Sequence, residues 1–151
     1  MTMIDRVRWQ FADNPAHREF VAERLLGLNH ALGEEIHGGT NENSLRLASW
    51  NIMHFGNRGS YDRTPESMLY IAEIIDHFDL VAVQEVNRNL AKLEDLLENY
   101  LGNDWDYLVT DTSGGHGGVK DAGNDERLAF LFRKSKVHFR KEVGEIVLPE
   151  G

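Results

Sequence analysis

The chain has 151 residues, 41% of them hydrophobic and 27% charged, which suits a single soluble domain with its own core. Its net charge of -9, from 25 acidic and 16 basic residues, argues against a module that binds nucleic acid mainly through a basic surface. It still permits a carboxylate cluster that meets phosphate through a divalent cation. The lack of cysteine excludes disulfides, zinc-thiolate sites and cysteine nucleophiles. No apolar run is long enough to span a bilayer, and residues 1–8 carry charges where a signal peptide would be apolar. The expectation is a cytoplasmic protein without membrane contact.

In chain order, Asn14 and Pro15 predict a helix start, with Asn14 as cap and Pro15 at the first helical position. Val21, Leu25, Leu28, Leu32 and Ile36 recur at helical spacing, so an amphipathic helix is expected over 15–36, weakened by Gly27 and Gly33. Residues 38–44 read as a flexible connector. Residues 1–44 are therefore expected to be an appended helix and connector ahead of a domain over 45–151.

A first strand is predicted over 45–51, followed by a loop through 56–59. A second helix is capped by Thr64 and opened by Pro65, with Met68, Ile71, Ala72, Ile75 and Phe78 as its buried stripe. Residues 79–85 are apolar without alternation, as in a strand covered on both faces. Leu90, Leu93, Leu97 and Leu101 mark a third helix, and Trp105, Tyr107 and Val109 a half-buried strand. A polar, glycine-rich loop fills 111–124. Residues 127–133 and 137–140 then read as two antiparallel strands turned at Lys134 and Ser135, and 146–148 as a last short strand. The order β-α-β-α-β-β-β combines a crossover unit with hairpins, so the fold class is α/β (α+β) with a mixed sheet.

The two apolar runs end on Asn51 and on Glu85. If they are parallel, joined through the second helix, both residues stand on one sheet edge, where open α/β sheets place ligands. Oxygen donors there would suit a hard cation such as Mg²⁺. On spacing alone the commoner reading is structural, with Asn51 beginning a turn and Glu85 capping a helix. Glu126 opens a strand that, if antiparallel, starts at the same edge. A carboxylate there could orient a histidine acting as general acid or base, though a solvated strand-entry residue is the more common case. His54, just past the first strand and near that edge, reads as a packing or surface histidine. His116 sits in a surface loop without P-loop spacing. His17, His30 and His37 read as solvated, and Glu94, Asp95 and Glu98 as an ordinary wet helix face.

Three segments occur in order: Leu47-Ala48-Ser49-Trp50-Asn51-Ile52-Met53-His54-Phe55-Gly56, Asp79-Leu80-Val81-Ala82-Val83-Gln84-Glu85-Val86, and Glu126-Arg127-Leu128-Ala129-Phe130-Leu131-Phe132-Arg133. Together they resemble the endonuclease/exonuclease/phosphatase superfamily, and within it the deoxyribonuclease I branch, over residues 45 to about 148. The resemblance implies a four-layer α/β sandwich of mixed sheets and Mg²⁺-dependent cleavage of phosphate esters, with Mn²⁺ or Ca²⁺ as alternative ions. It implies Glu85 as main metal ligand, Asn51 as its companion, and Glu126 as partner of a catalytic histidine. It puts Asn87 and Arg88 where the branch contacts nucleic acid, making DNA the expected substrate. Here the arginine stands one place later than in the branch, and Asn124 lies near the branch's tyrosine position.

The family's later elements, an Asp-x-Asn pair and a Ser-Asp-His, do not occur in the 151 residues. The chain is accordingly expected to be the N-terminal portion of a deoxyribonuclease-like endonuclease, incomplete and inactive by itself. Half a sandwich would expose an apolar sheet face, so self-association, a swapped assembly or poor solubility is expected. The competing readings are a phosphatase or a phospholipid or inositol-phosphate diesterase on the same scaffold, and a catalytically dead binding domain.

Overall fold

The computed structural model describes residues 2–37, 43–56, 61–110 and 126–142. Helix α1 spans Met3–Gln10 and α2 spans Pro15–His37; strand β1 spans Leu47–Phe55; helix α3 spans Pro65–Asp76; strand β2 spans Leu80–Asn87. Helix α4, Ala91–Leu96, runs into a π-helical turn at Leu97–Leu101, and strands β3, Trp105–Val109, and β4, Glu126–Arg133, follow. The four strands form one sheet in the order β1-β2-β4-β3. β1 and β2 are parallel, while β4 is antiparallel to both β2 and β3. The expected α/β fold with a mixed sheet is what forms.

Local chemistry accounts for the elements. Thr64 caps α3 by accepting the Ser67 N–H at 3.1 Å, with Pro65 in the first turn. Asn14 accepts the His17 N–H at 3.1 Å and starts α2. α1 was not anticipated. Its start is a capping box, in which the Asp5 carboxylate accepts the Thr2 N–H at 3.0 Å and the Thr2 hydroxyl accepts the Asp5 N–H at 3.3 Å. Met3 and Val7, one turn apart, are buried.

The helices cover one face of the sheet. Ile52, Val81, Val83, Ala129 and Leu131 from the strands share one buried cluster with Met3, Val7, Val21, Leu25, Met68, Leu69, Ile75, Leu93 and Leu96. β2 therefore alternates: Val81 and Val83 are buried on the helix face, while Leu80 and Ala82 are half-buried on the other. The predicted third helix is α-helical only to Leu96. The wider π turn brings Tyr100 into the core, where its hydroxyl meets Gln10 Nε2 at 2.6 Å and its ring lies 5.7 Å from the Arg6 guanidinium.

One predicted strand does not form. Residues 137–140 have no strand pairing, and the chain turns away after Arg133, whose carbonyl accepts the Lys136 and Val137 N–H groups at 3.1 and 2.8 Å. The reason is topological: β2 and β3 already occupy both sides of β4, so a hairpin partner following it has no free edge. The connector residues 38–42, loop residues 57–59, the glycine-rich loop at 111–124 with His116 and Asn124, the strand expected at 146–148, and the His37 side chain lie outside the described residues. Among those described, no helix is long and apolar enough to cross a membrane.

Candidate metal centre

Parallel β1 and β2 end on the same sheet edge, and antiparallel β4 begins there, with Glu126 opposite Asn87 in register. Both ladders are irregular at this edge. The β1–β2 register jumps from Asn51↔Gln84 to Phe55↔Val86, and the β2–β4 register from Val83↔Ala129 to Val86↔Arg127. Such bulges re-aim side chains. At them His54 and Glu85 adopt left-handed backbone, with φ of 52° and 58°. Left-handed backbone in a non-glycine residue costs about 1–2 kcal/mol, and it persists where surrounding bonds over-determine it.

Those bonds converge on Glu85. Asn51 Nδ2 donates to Glu85 Oε1 at 2.6 Å, and the His54 backbone N–H donates to Oε2 at 3.0 Å. The Asn51 amide first, and the His54 N–H second, hold the Glu85 carboxyl below the usual carboxylate range. Glu85 is thus presented as an anion locked in orientation. Asn51 acts here as its positioning residue, with its amide oxygen as the remaining acceptor.

His54 and Glu126 complete the group. His54 Nδ1 lies 3.3 Å from Glu126 Oε1 and 3.9 Å from Glu85 Oε2. The His54 ring packs on Tyr61 with centroids 4.4 Å apart and planes tilted by 58°. One donor atom from each of His54, Glu85 and Glu126 falls within 4.8 Å of the others, a spacing that could hold a metal ion. Gly56, at φ 96°, turns the chain under this group; a Cβ there would stand 3.3 Å from both Asn87 Cβ and the Asn89 carbonyl oxygen.

The structure therefore brings Asn51, Glu85 and Glu126 to one rim. Asn87 sits beside them, its Oδ1 accepting the Asn89 N–H at 2.9 Å in the turn toward α4, and exposed Arg88 follows it. His54, expected near the site as a packing or surface histidine, does pack on Tyr61 and also stands in the rim group with Glu85 and Glu126. β1 continues to Phe55, four residues past its predicted end, and carries His54 along the edge. Its position three residues after Asn51 was the available signal. His17 also differs from expectation: it packs edge-on to Phe11 at 4.8 Å and reaches Glu66 at 3.3 Å. His30 is exposed, 3.6 Å from exposed Glu34.

Residues 48–147 match the Endonuclease/Exonuclease/phosphatase family. A protein named deoxyribonuclease from Thioalkalivibrio sp. (strain K90mix) is 35% identical over 97 residues, which are 63% of this chain and 24% of that protein. Deoxyribonuclease-1 of Bos taurus is 34% identical over 118 residues, 76% of this chain and 38% of that protein. Deoxyribonuclease-1 of Canis lupus familiaris is 31% identical over the same shares. The chain spans between 24% and 38% of the length of these curated relatives. The matched span runs through β1, β2 and β4 and contains every residue of the rim. The chain belongs to the endonuclease/exonuclease/phosphatase family.

Proposed function

We propose that this chain carries the cation-binding part of a divalent-metal-dependent phosphodiester hydrolase that acts on DNA. The observation that supports the reading most is Glu85, an ionised carboxylate pinned from two sides beside Glu126 and His54 at the sheet edge. A divalent ion bound there, Mg²⁺ or in its place Mn²⁺ or Ca²⁺, supplies charge neutralisation at the phosphate oxygens during attack by water. Glu85 is its principal ligand, and Asn51 fixes the carboxylate for it. Glu126 orients a histidine ring beside the reacting phosphate, and the ring it faces in this chain is that of His54. Exposed Arg88 and neighbouring Asn87 line the same edge and meet the nucleic-acid backbone. The curated relatives named as deoxyribonucleases support DNA as substrate.

Turnover needs stabilisation of the leaving group as well as a cation. The 151 residues hold no Asp-x-Asn and no Ser-Asp-His to provide it, so the reading includes no turnover by this chain alone. The sheet face opposite the helices bears Leu47, Leu80, Ala82, Leu108 and Phe130, none of them in the buried cluster. Leu47 is 60% exposed. Self-association through this face is part of the proposal.

The test is a substrate panel on protein that also carries the later elements of the family. Nicking of supercoiled plasmid that is lost with EDTA and in Glu85→Ala, with inositol phosphates and sphingomyelin untouched, is the expected result. DNA cleavage undiminished in Glu85→Ala, or preferential turnover of the other phosphate esters, overturns the reading. For the partner, light scattering on the 151-residue chain should show dimers or larger species; a monomer at all concentrations refutes self-association.

A further inference from the structure

Tyr61, Asp62 and Arg63 lead the chain back from the rim to the Thr64 cap of α3. We infer that Tyr61 is a stacking seat for one unpaired nucleobase beside Glu85, so that the preferred DNA carries a single-stranded or splayed segment at the point of attack. This rests on the reading that Glu85 holds a divalent ion against a DNA phosphate.

Position and anchoring single out this side chain. The Tyr61 ring packs on His54 with centroids 4.4 Å apart, and His54 Nδ1 lies 3.9 Å from Glu85 Oε2. One imidazole therefore separates the tyrosine from the proposed cation ligand. The next two residues are both tied down: Lys92 Nζ reaches Asp62 Oδ1 at 3.4 Å, and Arg63 Nη2 donates to the Met53 carbonyl at 2.6 Å. The backbone at Tyr61 is thus anchored from β1 and α4, yet the residue stays 39% exposed. An aromatic kept for packing alone gains most from full burial. A ring fixed in advance with much of its surface open loses little freedom when a flat ligand lands on it.

The charges point to a base as the ligand. Gripping a duplex by its backbone takes several cations that reach phosphate, and the chain has a net charge of -9. Three described cations near the rim are engaged with protein: Arg63 with the Met53 carbonyl, Lys92 with Asp62, and Arg127 with the Thr110 carbonyl at 3.3 Å. Exposed Arg88 stands at the same edge. With so little backbone grip, stacking on an aromatic, which contributes about five- to a hundredfold in affinity per base, decides what binds. In a duplex each base face is covered by its neighbours, so an unpaired or splayed base is the one that offers a face. Negative supercoiling favours such segments in plasmid DNA.

The experiment follows binding of fluorescein-labelled oligonucleotides to the 151-residue chain in Mg²⁺ by fluorescence anisotropy. The probes are an oligothymidylate strand, the same strand paired with its complement, and an abasic strand with the same phosphates. The oligothymidylate should bind about five- to a hundredfold more tightly than either of the others. Tyr61→Leu keeps an apolar side chain against His54 and should remove that advantage, whereas Tyr61→Phe should retain it; Tyr61→Ser carries the test if Tyr61→Leu fails to fold. Equal binding of the three probes, an advantage that survives in Tyr61→Leu, or no binding of oligothymidylate overturns the seat. Glu85→Ala separates this from the cation reading. It should remove the Mg²⁺ dependence of binding and leave the advantage over the abasic strand. Mg²⁺ dependence that persists in Glu85→Ala, with the advantage still lost in Tyr61→Leu, overturns the cation site and leaves the seat standing.

Discussion

Replacing Asp79 by alanine should cost about 3 kcal/mol of stability, more than any exposed charge change. Asp79 is fully buried just before β2, at the sheet end away from the rim. Its carboxylate accepts from the Arg46 backbone N–H at 2.8 Å, from Arg46 Nε at 3.1 Å and from Nη2 at 2.8 Å, and Arg133 Nε stands 4.0 Å away. Arg133 in turn binds Asp76 and the Phe78 carbonyl and lies over the Trp105 ring at 4.8 Å. One carboxylate thus ties together the starts of β1 and β2 and the end of β4. Removing one partner of a buried ion pair costs about 3–5 kcal/mol because the other charge is left uncompensated. Arg46 and Arg133 keep 21% and 20% of their side-chain surface in water, which places the cost at the lower end. At about 2–4 °C per kcal/mol for a chain of this size, Tm should fall by roughly 6–12 °C.

The same residue carries a pH signature. Burial raises the Asp79 carboxyl, but hydrogen bonds from the Arg46 side chain and backbone outweigh it and hold the group below its ordinary 3.8. A native pKa below the unfolded one gives stability that is present in full above the unfolded value. That stability is lost as pH falls through the native value. Urea unfolding of wild type and Asp79→Ala should therefore show a constant gap near neutrality that closes only below about pH 4. A neutral-pH gap under about 1 kcal/mol, or acid limbs that run parallel, would refute the argument.

Gly56→Ala should destabilise by about 1–2 kcal/mol, because φ is 96° and the added Cβ meets backbone and Asn87 at 3.3 Å; an unchanged urea midpoint would show that the turn relaxes freely. Tyr100→Phe removes the 2.6 Å bond to Gln10 and should cost about 1 kcal/mol, with faster hydrogen exchange in α1; unaltered α1 protection would count against its docking through the π turn. Leu131→Ala empties a fully buried position under β4 and should cost about 2–5 kcal/mol, read as a lower Tm at unchanged secondary structure.

The parts of the fold read correctly from sequence were those set by local chemistry. Thr64-Pro65 announced α3, Asn14-Pro15 announced α2, and the direction of β4 relative to β2 put Glu126 at the rim of Asn51 and Glu85. The rest depended on tertiary context. Alternation at 137–140 says nothing about whether an edge is free, and β3 had taken it. The bulges leave no mark on hydrophobic periodicity, so β1 was ended at Asn51 and His54 was placed near the site without a role in it. α1 is polar overall and its capping box uses Asp5 where Glu or Gln is the usual signal. The Asp79 anchor was equally silent, because its partners lie 33 and 54 residues away along the chain.

The central claim is that Glu85 holds a divalent ion at the edge shared by β1, β2 and β4. Crystals of the chain grown with Mn²⁺ test it most directly through the anomalous scattering of the ion. A single strong peak within bonding distance of a Glu85 carboxylate oxygen, absent in Glu85→Ala, is the predicted result. A peak elsewhere, or one that survives in Glu85→Ala, would contradict the account.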